Sequence, residues 1–296
     1  MSALYEVLLY YRYFSIEEPQ EYVSEHRRLC EELGLFGRIL VAREGINGTV
    51  SGLREQTQAY QEYLRSKPGT DEMEFKVDPA DGHAFQKLSI KARDEIVTLG
   101  LSLCEDIDPN ETTGNYLSPK DFYEAMQDPN AVIVDARNEY ESQLGKFRNA
   151  ICPDVDSFRY LAQWIRDHRS ELEGKRILTY CTGGIRCEKF SGFLLSEGYE
   201  DVSQLHGGIV TYGRDPETQG RDFEGQCYVF DQRIGVQVNR ENPSVIASCR
   251  HCGVPIERYR NCGFTPCNAQ FFCCKECEES RGRFCSEACR EQTMAL

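Results

Sequence analysis

Arg176-Ile177-Leu178-Thr179-Tyr180-Cys181-Thr182-Gly183-Gly184-Ile185-Arg186-Cys187 runs from an apolar strand into a short loop and then into a helix opening at Cys187. A thiol at a strand-to-helix turn faces unpaired backbone N–H groups and the positive end of the helix dipole. Both favour an anion, so they lower the thiol pKa and make the sulfur a nucleophile. Gly183 and Gly184 permit a tight curl that aims several N–H groups at one point. The loop from Cys181 to Arg186 therefore reads as a cradle for an anionic sulfur, or for negative charge developing beside it.

Around this loop the chain alternates between strand and helix. Ser118-Pro119 caps and opens a helix through about Met126, and Ala131-Val132-Ile133-Val134-Asp135 is a short apolar strand. A helix near Phe158 to His168, the strand before Cys181, a helix after it, a strand at Val202 to Leu205 and a last helix after Gly207-Gly208 complete the unit, residues 116–215. Such alternation implies a parallel sheet with ligands at the C-terminal strand ends, where Asp135 and Cys181 both stand. An ion pair between Asp135 and Arg137 would fix the loop from the side.

Residues 1–115 read differently: strand, helix, strand, strand, helix, strand. Val7 to Tyr11 is apolar and aromatic, and a helix between Ser15 and Gly34 carries Pro19 near its start. Strands at Arg38–Ala42 and Gly48–Gly52 flank a turn over Glu44–Gly48, followed by a helix from Leu53 to Ser66 and a strand at Glu74–Val77. This order predicts a ferredoxin-like α+β domain. Residues 216–248, rich in turn formers around one strand at Gln226–Phe230, read as an extended connector.

Nine of the fifteen cysteines fall between Cys249 and Cys289. Cys249, Cys252, Cys262, Cys267, Cys274, Cys277, Cys285 and Cys289 supply eight thiolates, with Cys273 as a spare, so residues 249–296 read as a metal-binding unit. Closed tetrahedral zinc sites take four thiolates each, so eight suit two zinc ions. A segment this short holds too little apolar area to fold unaided, and metal would provide its folding energy. Sequential and interleaved sharing of the ions both satisfy the spacing, His251 is a further potential ligand, and iron–sulfur ligation ranks below zinc.

The formal charge of −14 argues against indiscriminate nucleic-acid binding, although it permits a local basic groove. No stretch approaches the roughly 20 apolar residues of a membrane span. The start, Met1-Ser2-Ala3-Leu4-Tyr5-Glu6, lacks the basic region of a signal peptide, so a cytoplasmic address is expected. Neither a membrane nor a protein partner is indicated.

Cysteine, four residues, arginine is one residue shorter than the Cys-x5-Arg loop of cysteine-dependent phosphatases, and a smaller loop suits a single sulfur or small anion. With Asp135-Ala136-Arg137 and Gly207-Gly208, the central unit resembles a rhodanese domain. The resemblance extends further. Arg43 to Gly52, Lys91 to Gly100, Cys181 to Lys189 and the cysteine tail are similar to the bacterial rhodanese-containing tRNA uridine hydroxylases. Ala92 and Asp94 depart from it, in a segment expected to be more basic.

The resemblance implies an α/β multidomain enzyme that makes 5-hydroxyuridine at the tRNA wobble position. Its co-substrate would be molecular oxygen and its partner tRNA; no organic cofactor is identifiable. Cys181 would be catalytic and Thr182, Gly183, Gly184, Ile185 and Arg186 its cradle; Arg186 reads either as directed at substrate or as held in an orienting salt bridge. Cys187 reads either as a resolving thiol or as a small buried packing residue. Arg43, Asn47, Lys87, Lys91 and Arg93 are candidate tRNA contacts, and the run Tyr10 to Phe14 either stacks on bases or packs as a strand. A persulfide-forming sulfurtransferase is the alternative activity, and a zinc-supported binding module without catalysis is a third reading.

Overall fold

The computed structural model describes residues 4–102 and 107–294. Met1-Ser2-Ala3 and the last two residues of the tail lie outside the described residues. In the N-terminal unit, β1 (Tyr5–Tyr13), α1 (Pro19–Glu32), β2 (Phe36–Ala42), β3 (Gly45–Leu53), α2 (Arg54–Arg65), β4 (Phe75–Ala80) and β5 (Leu88–Ala92) follow in order. They build a sheet ordered β4-β1-β3-β2-β5, the ferredoxin-like arrangement with one added edge strand parallel to β2. The expected turn over Glu44–Gly48 is tighter: β2 and β3 pair up to Ala42 and Gly45, leaving only Arg43 and Glu44 between them.

Period-two alternation decides which side chains face the helices. Leu8, Tyr10, Ile39, Val41, Ile46 and Val50 are fully buried with Val23, Cys30, Tyr60 and Leu64 of α1 and α2. Burying side chains of this size stabilises a fold by about 1.5–3 kcal/mol each. The alternate residues, Leu9, Tyr11, Arg38, Leu40, Asn47 and Thr49, therefore lie on the face without helices. That face meets the central unit.

The central unit runs β6 (Asn115–Leu117), α3 (Pro119–Ala125), β7 (Ala131–Asp135), α4 (Glu139–Ser142), β8 (Gly145–Phe147), α5 (Leu161–Asp167), α6 (Arg169–Leu172), β9 (Arg176–Tyr180), α7 (Ile185–Ser196), β10 (Val202–Leu205) and α8 (Gly208–Arg214). Its sheet is parallel in the order β6-β10-β9-β7. Ser118 caps α3 through the Asp121 N–H at 3.2 Å, as the Ser-Pro pair predicts. One helix differs from expectation: α7 opens at Ile185, so Arg186 and Cys187 both sit in its first turn.

The stretch 216–248 is more structured than an extended connector. β11 (Phe223–Tyr228) pairs antiparallel with β8 and with β12 (Gly235–Gln237), forming a three-stranded sheet against the central unit. Phe147 on β8 and Phe223 on β11 are fully buried against each other, with ring centroids 5.2 Å apart. The tail holds β13 (Tyr259–Asn261), β14 (Gln270–Phe272), α9 (Lys275–Arg281) and α10 (Glu287–Met294), and its buried cluster is mostly cysteine.

Candidate active site and metal centres

Cys181 follows the last residue of β9 and is fully buried. Its sulfur accepts the Gly184 N–H at 3.1 Å. Burial alone would raise the thiol pKa. The Cys187 S–H, the Arg186 charge and the N–H groups of Cys187 and Arg186 outweigh it and draw the value down from 9.0 to about 5. Cys187 moves the opposite way: burial raises it well above an ordinary thiol, and its hydrogen bond to the Cys181 sulfur adds to the rise. One sulfur is thus held as thiolate and its neighbour as proton donor.

The loop is pinned from below by α8. The Ile209 and Val210 N–H groups donate to the carbonyls of Cys181 and Thr182 at 3.0 and 3.1 Å. Gly208 is required here, since a Cβ on it would stand 2.6 Å from the Cys181 carbonyl oxygen, at a φ of +68°. From above, the N-terminal sheet presses on the loop glycines. A Cβ on Gly184 would come within 2.7 Å of the Tyr11 hydroxyl, and one on Gly183 within 3.0 Å of Leu9. These glycines therefore serve the close approach of two domains as well as the curl of the loop.

Arg186 lines the cavity beside Cys181 and makes an orienting salt bridge. It is buried and forks onto Glu141 of α4, with N···O distances of 2.6 and 2.8 Å. Burial would raise the Glu141 pKa, but the Arg186 charge and hydrogen bonds hold it below the usual carboxylate value. Thr182 joins the same cluster, donating to Glu141 at 3.4 Å. Asp135 and Arg137 form the expected pair at 2.6 Å, fully buried, with the Tyr180 hydroxyl donating to Asp135 at 2.7 Å. Glu141 had no local signal beyond a capping box with Asn138, because its partner lies far along the chain.

Further contacts tie the N-terminal unit to α7. Tyr11 donates to Glu188 at 2.9 Å, and Tyr13 to the Ile185 carbonyl at 3.3 Å. Lys189, fully buried, bridges Glu44 at 2.7 Å and Glu95 at 2.8 Å. The aromatic run accordingly packs as a strand: Tyr10 in the N-terminal core, Tyr11 and Tyr13 against the loop.

Between the helix-free sheet face and the loop lies a cavity of about 470 Å³, within the roughly 300–1,000 Å³ of small-ligand sites. Cys181, Thr182, Gly183, Ile185 and Arg186 form one wall and Leu9, Tyr11, Leu40, Asn47 and Thr49 the other. Of the candidate tRNA contacts, Asn47 and Arg93 line this cavity, whereas Arg43, Lys87 and Lys91 are exposed outside its lining. Asn47 is also anchored, donating to the Ile96 carbonyl at 3.2 Å. Arg38, Phe85, Arg159 and Phe230 also line the cavity and carried no sequence signal of their own.

The tail cysteines form two groups whose ligand atoms lie within 4.8 Å of one another: Cys249, Cys252, Cys274 and Cys277, and Cys262, Cys267, Cys285 and Cys289. Sharing is interleaved. Each group joins an early pair to a late one, so a bound ion would cross-link the segment. Sulfur–sulfur distances of 3.7 Å recur in both groups. Four thiolates about 2.3 Å from a tetrahedral zinc stand about 3.8 Å apart, so these donors fit such an ion. Backbone N–H groups of Cys274 and Cys285 donate to Cys249 and Cys262, which further favours thiolate. Cys273 and His251 belong to neither group; the His251 ring contacts the Phe284 carbonyl at 3.0 Å.

Three family models match successive stretches of the chain. Residues 5–96 match the UPF0176 acylphosphatase like domain, residues 118–215 the rhodanese-like domain and residues 224–290 the domain described as rhodanase C-terminal. A Bacillus licheniformis protein named tRNA uridine(34) hydroxylase is 56% identical over 290 residues, covering 98% of this chain and 89% of its own length. Its namesakes from Bacillus velezensis and Bacillus cereus are 55% and 57% identical, with 98% and 97% of this chain covered and 89% of theirs. Similarity of this degree spans nearly the whole chain, and the chain belongs to the tRNA uridine(34) hydroxylase family.

Proposed function

We propose that this protein is an oxygen-dependent tRNA hydroxylase that converts uridine at the wobble position to 5-hydroxyuridine, with Cys181 as the nucleophile. The observation that carries the assignment of Cys181 is its sulfur, drawn down to about 5 at the wall of a cavity large enough for a nucleotide. Uracil is electrophilic at C6. Addition of the Cys181 thiolate forms a C6–S bond and pushes the electron pair toward C5 and O4, making C5 nucleophilic. The loop N–H groups of Thr182, Gly183 and Ile185 are the donors for charge at O4, a role that Arg186 takes only through its electrostatic field, since its hydrogen bonds go to Glu141 and Thr182.

One oxygen atom of O2 then enters at C5 and the other leaves as water. Loss of the C5 proton with cleavage of the C6–S bond restores the aromatic ring and the thiolate. The net change consumes two electrons and two protons. Oxidation of the Cys181 thiolate and the Cys187 thiol to a disulfide releases two electrons and one proton, and solvent supplies the second proton; this is the role proposed for Cys187 as resolving thiol, and an external dithiol restores the pair.

In the tail, Cys249, Cys252, Cys274 and Cys277 would hold one zinc and Cys262, Cys267, Cys285 and Cys289 a second. Both ions would be structural, since four thiolates leave no open position for chemistry. The proposed setting is the cytoplasm, where tRNA is found and thiols stay reduced. Among the described residues no helix is long and apolar enough to cross a membrane.

Mass spectrometry of tRNA nucleosides from cells lacking this chain tests the activity. Loss of 5-hydroxyuridine and its derivatives is expected, whereas loss of a thiolated nucleoside with 5-hydroxyuridine intact would overturn the proposal in favour of sulfur transfer.

A further inference from the structure

A chain with 48 acidic and 34 basic residues must still hold a polyanion at the mouth of its active cavity. The charges around that mouth explain how. Arg186 in the wall is matched by Glu141, and Glu95, the one carboxylate in the lining, is matched by Lys189. What remains is Arg38, from the outward face of β2, Arg93, just beyond β5, and Arg159, at the turn before α5. All three are exposed. None makes an ion pair among the described residues, and Arg93 donates only to the adjacent Ala92 carbonyl at 2.9 Å. Arg12 and Arg54 of the N-terminal unit are paired, with Glu72 and Glu6, while the unpaired Arg28, Arg43 and Arg65 lie outside the cavity lining, so the lining is what sets the three apart.

We infer that Arg38, Arg93 and Arg159 form a phosphate clamp that grips the RNA backbone on either side of the target uridine while its base enters the cavity toward Cys181. An exposed guanidinium with no acid partner pays little to exchange water for phosphate, which it binds through two parallel N–H donors. Two of the three come from the N-terminal unit and one from the central unit, so the clamp is complete only where the two domains meet. Phe230, 45% exposed at the same mouth and braced edge-on by Tyr228 at 5.2 Å, supplies a face on which a neighbouring base stacks. The clamp rests on the proposed hydroxylation of RNA and adds how that RNA is held. It also explains how a strongly acidic protein binds RNA: the attraction is local.

The test uses the full, zinc-loaded chain and a synthetic anticodon stem-loop RNA, with KM followed from low to moderate salt. For single strands each phosphate contact contributes about 0.7 to the slope of log affinity against log salt, so replacing all three arginines by alanine flattens the slope by about 2. At low salt the R38A/R93A/R159A variant raises KM at least tenfold with a much smaller change in kcat. The triple lysine variant keeps most of the slope, because charge is retained, and Arg28→Ala, on the exposed side of α1, leaves it unaltered. Phe230→Ala raises KM severalfold and Phe230→Trp restores it. A triple alanine variant that folds, as judged by thermal unfolding, and keeps the wild-type KM and slope overturns the clamp while leaving the hydroxylase reading intact. Failure of the wild-type chain to hydroxylate the RNA at any salt overturns the underlying reading instead.

Discussion

Cys181 and the tail cysteines are the same residue under opposite constraints. Around Cys181 one sulfur faces backbone N–H groups and a buried guanidinium, and its negative charge is satisfied by protein alone. In the tail, eight sulfurs converge in two groups of four, and fixed N–H donors cannot neutralise four thiolates at one point. Only a cation can. A single cradled sulfur is therefore left reactive, and a clustered set is left structural. The difference lies in what each sulfur faces.

Removing metal from the tail separates the two regions most sharply. Binding of a structural zinc provides roughly 10–16 kcal/mol, so chelation or Cys274→Ser should unfold residues 249–296, seen as rapid proteolysis there, while the central parallel sheet stays folded. Breaking the electrostatic frame of the loop is the next largest effect. Glu141→Ala leaves Arg186 buried without its partner and should destabilise the central unit by about 3–5 kcal/mol in urea unfolding, because an uncompensated buried charge is costly.

A smaller effect, and a more specific one, is the pH dependence of Cys181. Alkylation of this thiol should rise with pH through about 5 and level off by neutral pH, and Arg186→Gln should move the rise upward. The sign for stability follows from the depressed folded value. The contribution from ionising Cys181 is complete above the unfolded thiol value of 9.0 and is lost as pH falls from there through about 5. Cys273 marks the lower end of the scale. Although it is fully buried, it ligates nothing, so Cys273→Ala should cost about 1 kcal/mol and leave two metal ions bound by elemental analysis.

The loop and the eight clustered cysteines were legible because their chemistry is written at short spacing: a cysteine with two glycines after a strand, and cysteine pairs a few residues apart. The alternation of strands and helices likewise gave the central sheet and the ferredoxin-like order. What escaped was long-range. Glu141 reaches Arg186 across 45 positions of sequence, and β5 adds to the N-terminal sheet by parallel pairing that no turn announces. The pairing of β11 with β8 was hidden for the same reason, as was the interleaving of ligand pairs, which spacing leaves undetermined. Arg38 looked like one more strand residue until the helix-free face of its sheet was seen to form the cavity wall. For Arg186 the sequence left a substrate contact and an orienting salt bridge both open, and its buried position demanded the carboxylate that Glu141 supplies.

The central claim is that Cys181 performs covalent catalysis on a pyrimidine ring. Cys181→Ser should keep the fold and leaves the tail cysteines untouched, but exchanges a thiolate for a hydroxyl that stays protonated. Purified wild-type and variant chains should be given the same tRNA, oxygen and a dithiol, with 5-hydroxyuridine counted by mass spectrometry. The account predicts modified nucleoside from the wild type and none above background from the variant; a variant that hydroxylates at near the wild-type rate would contradict it.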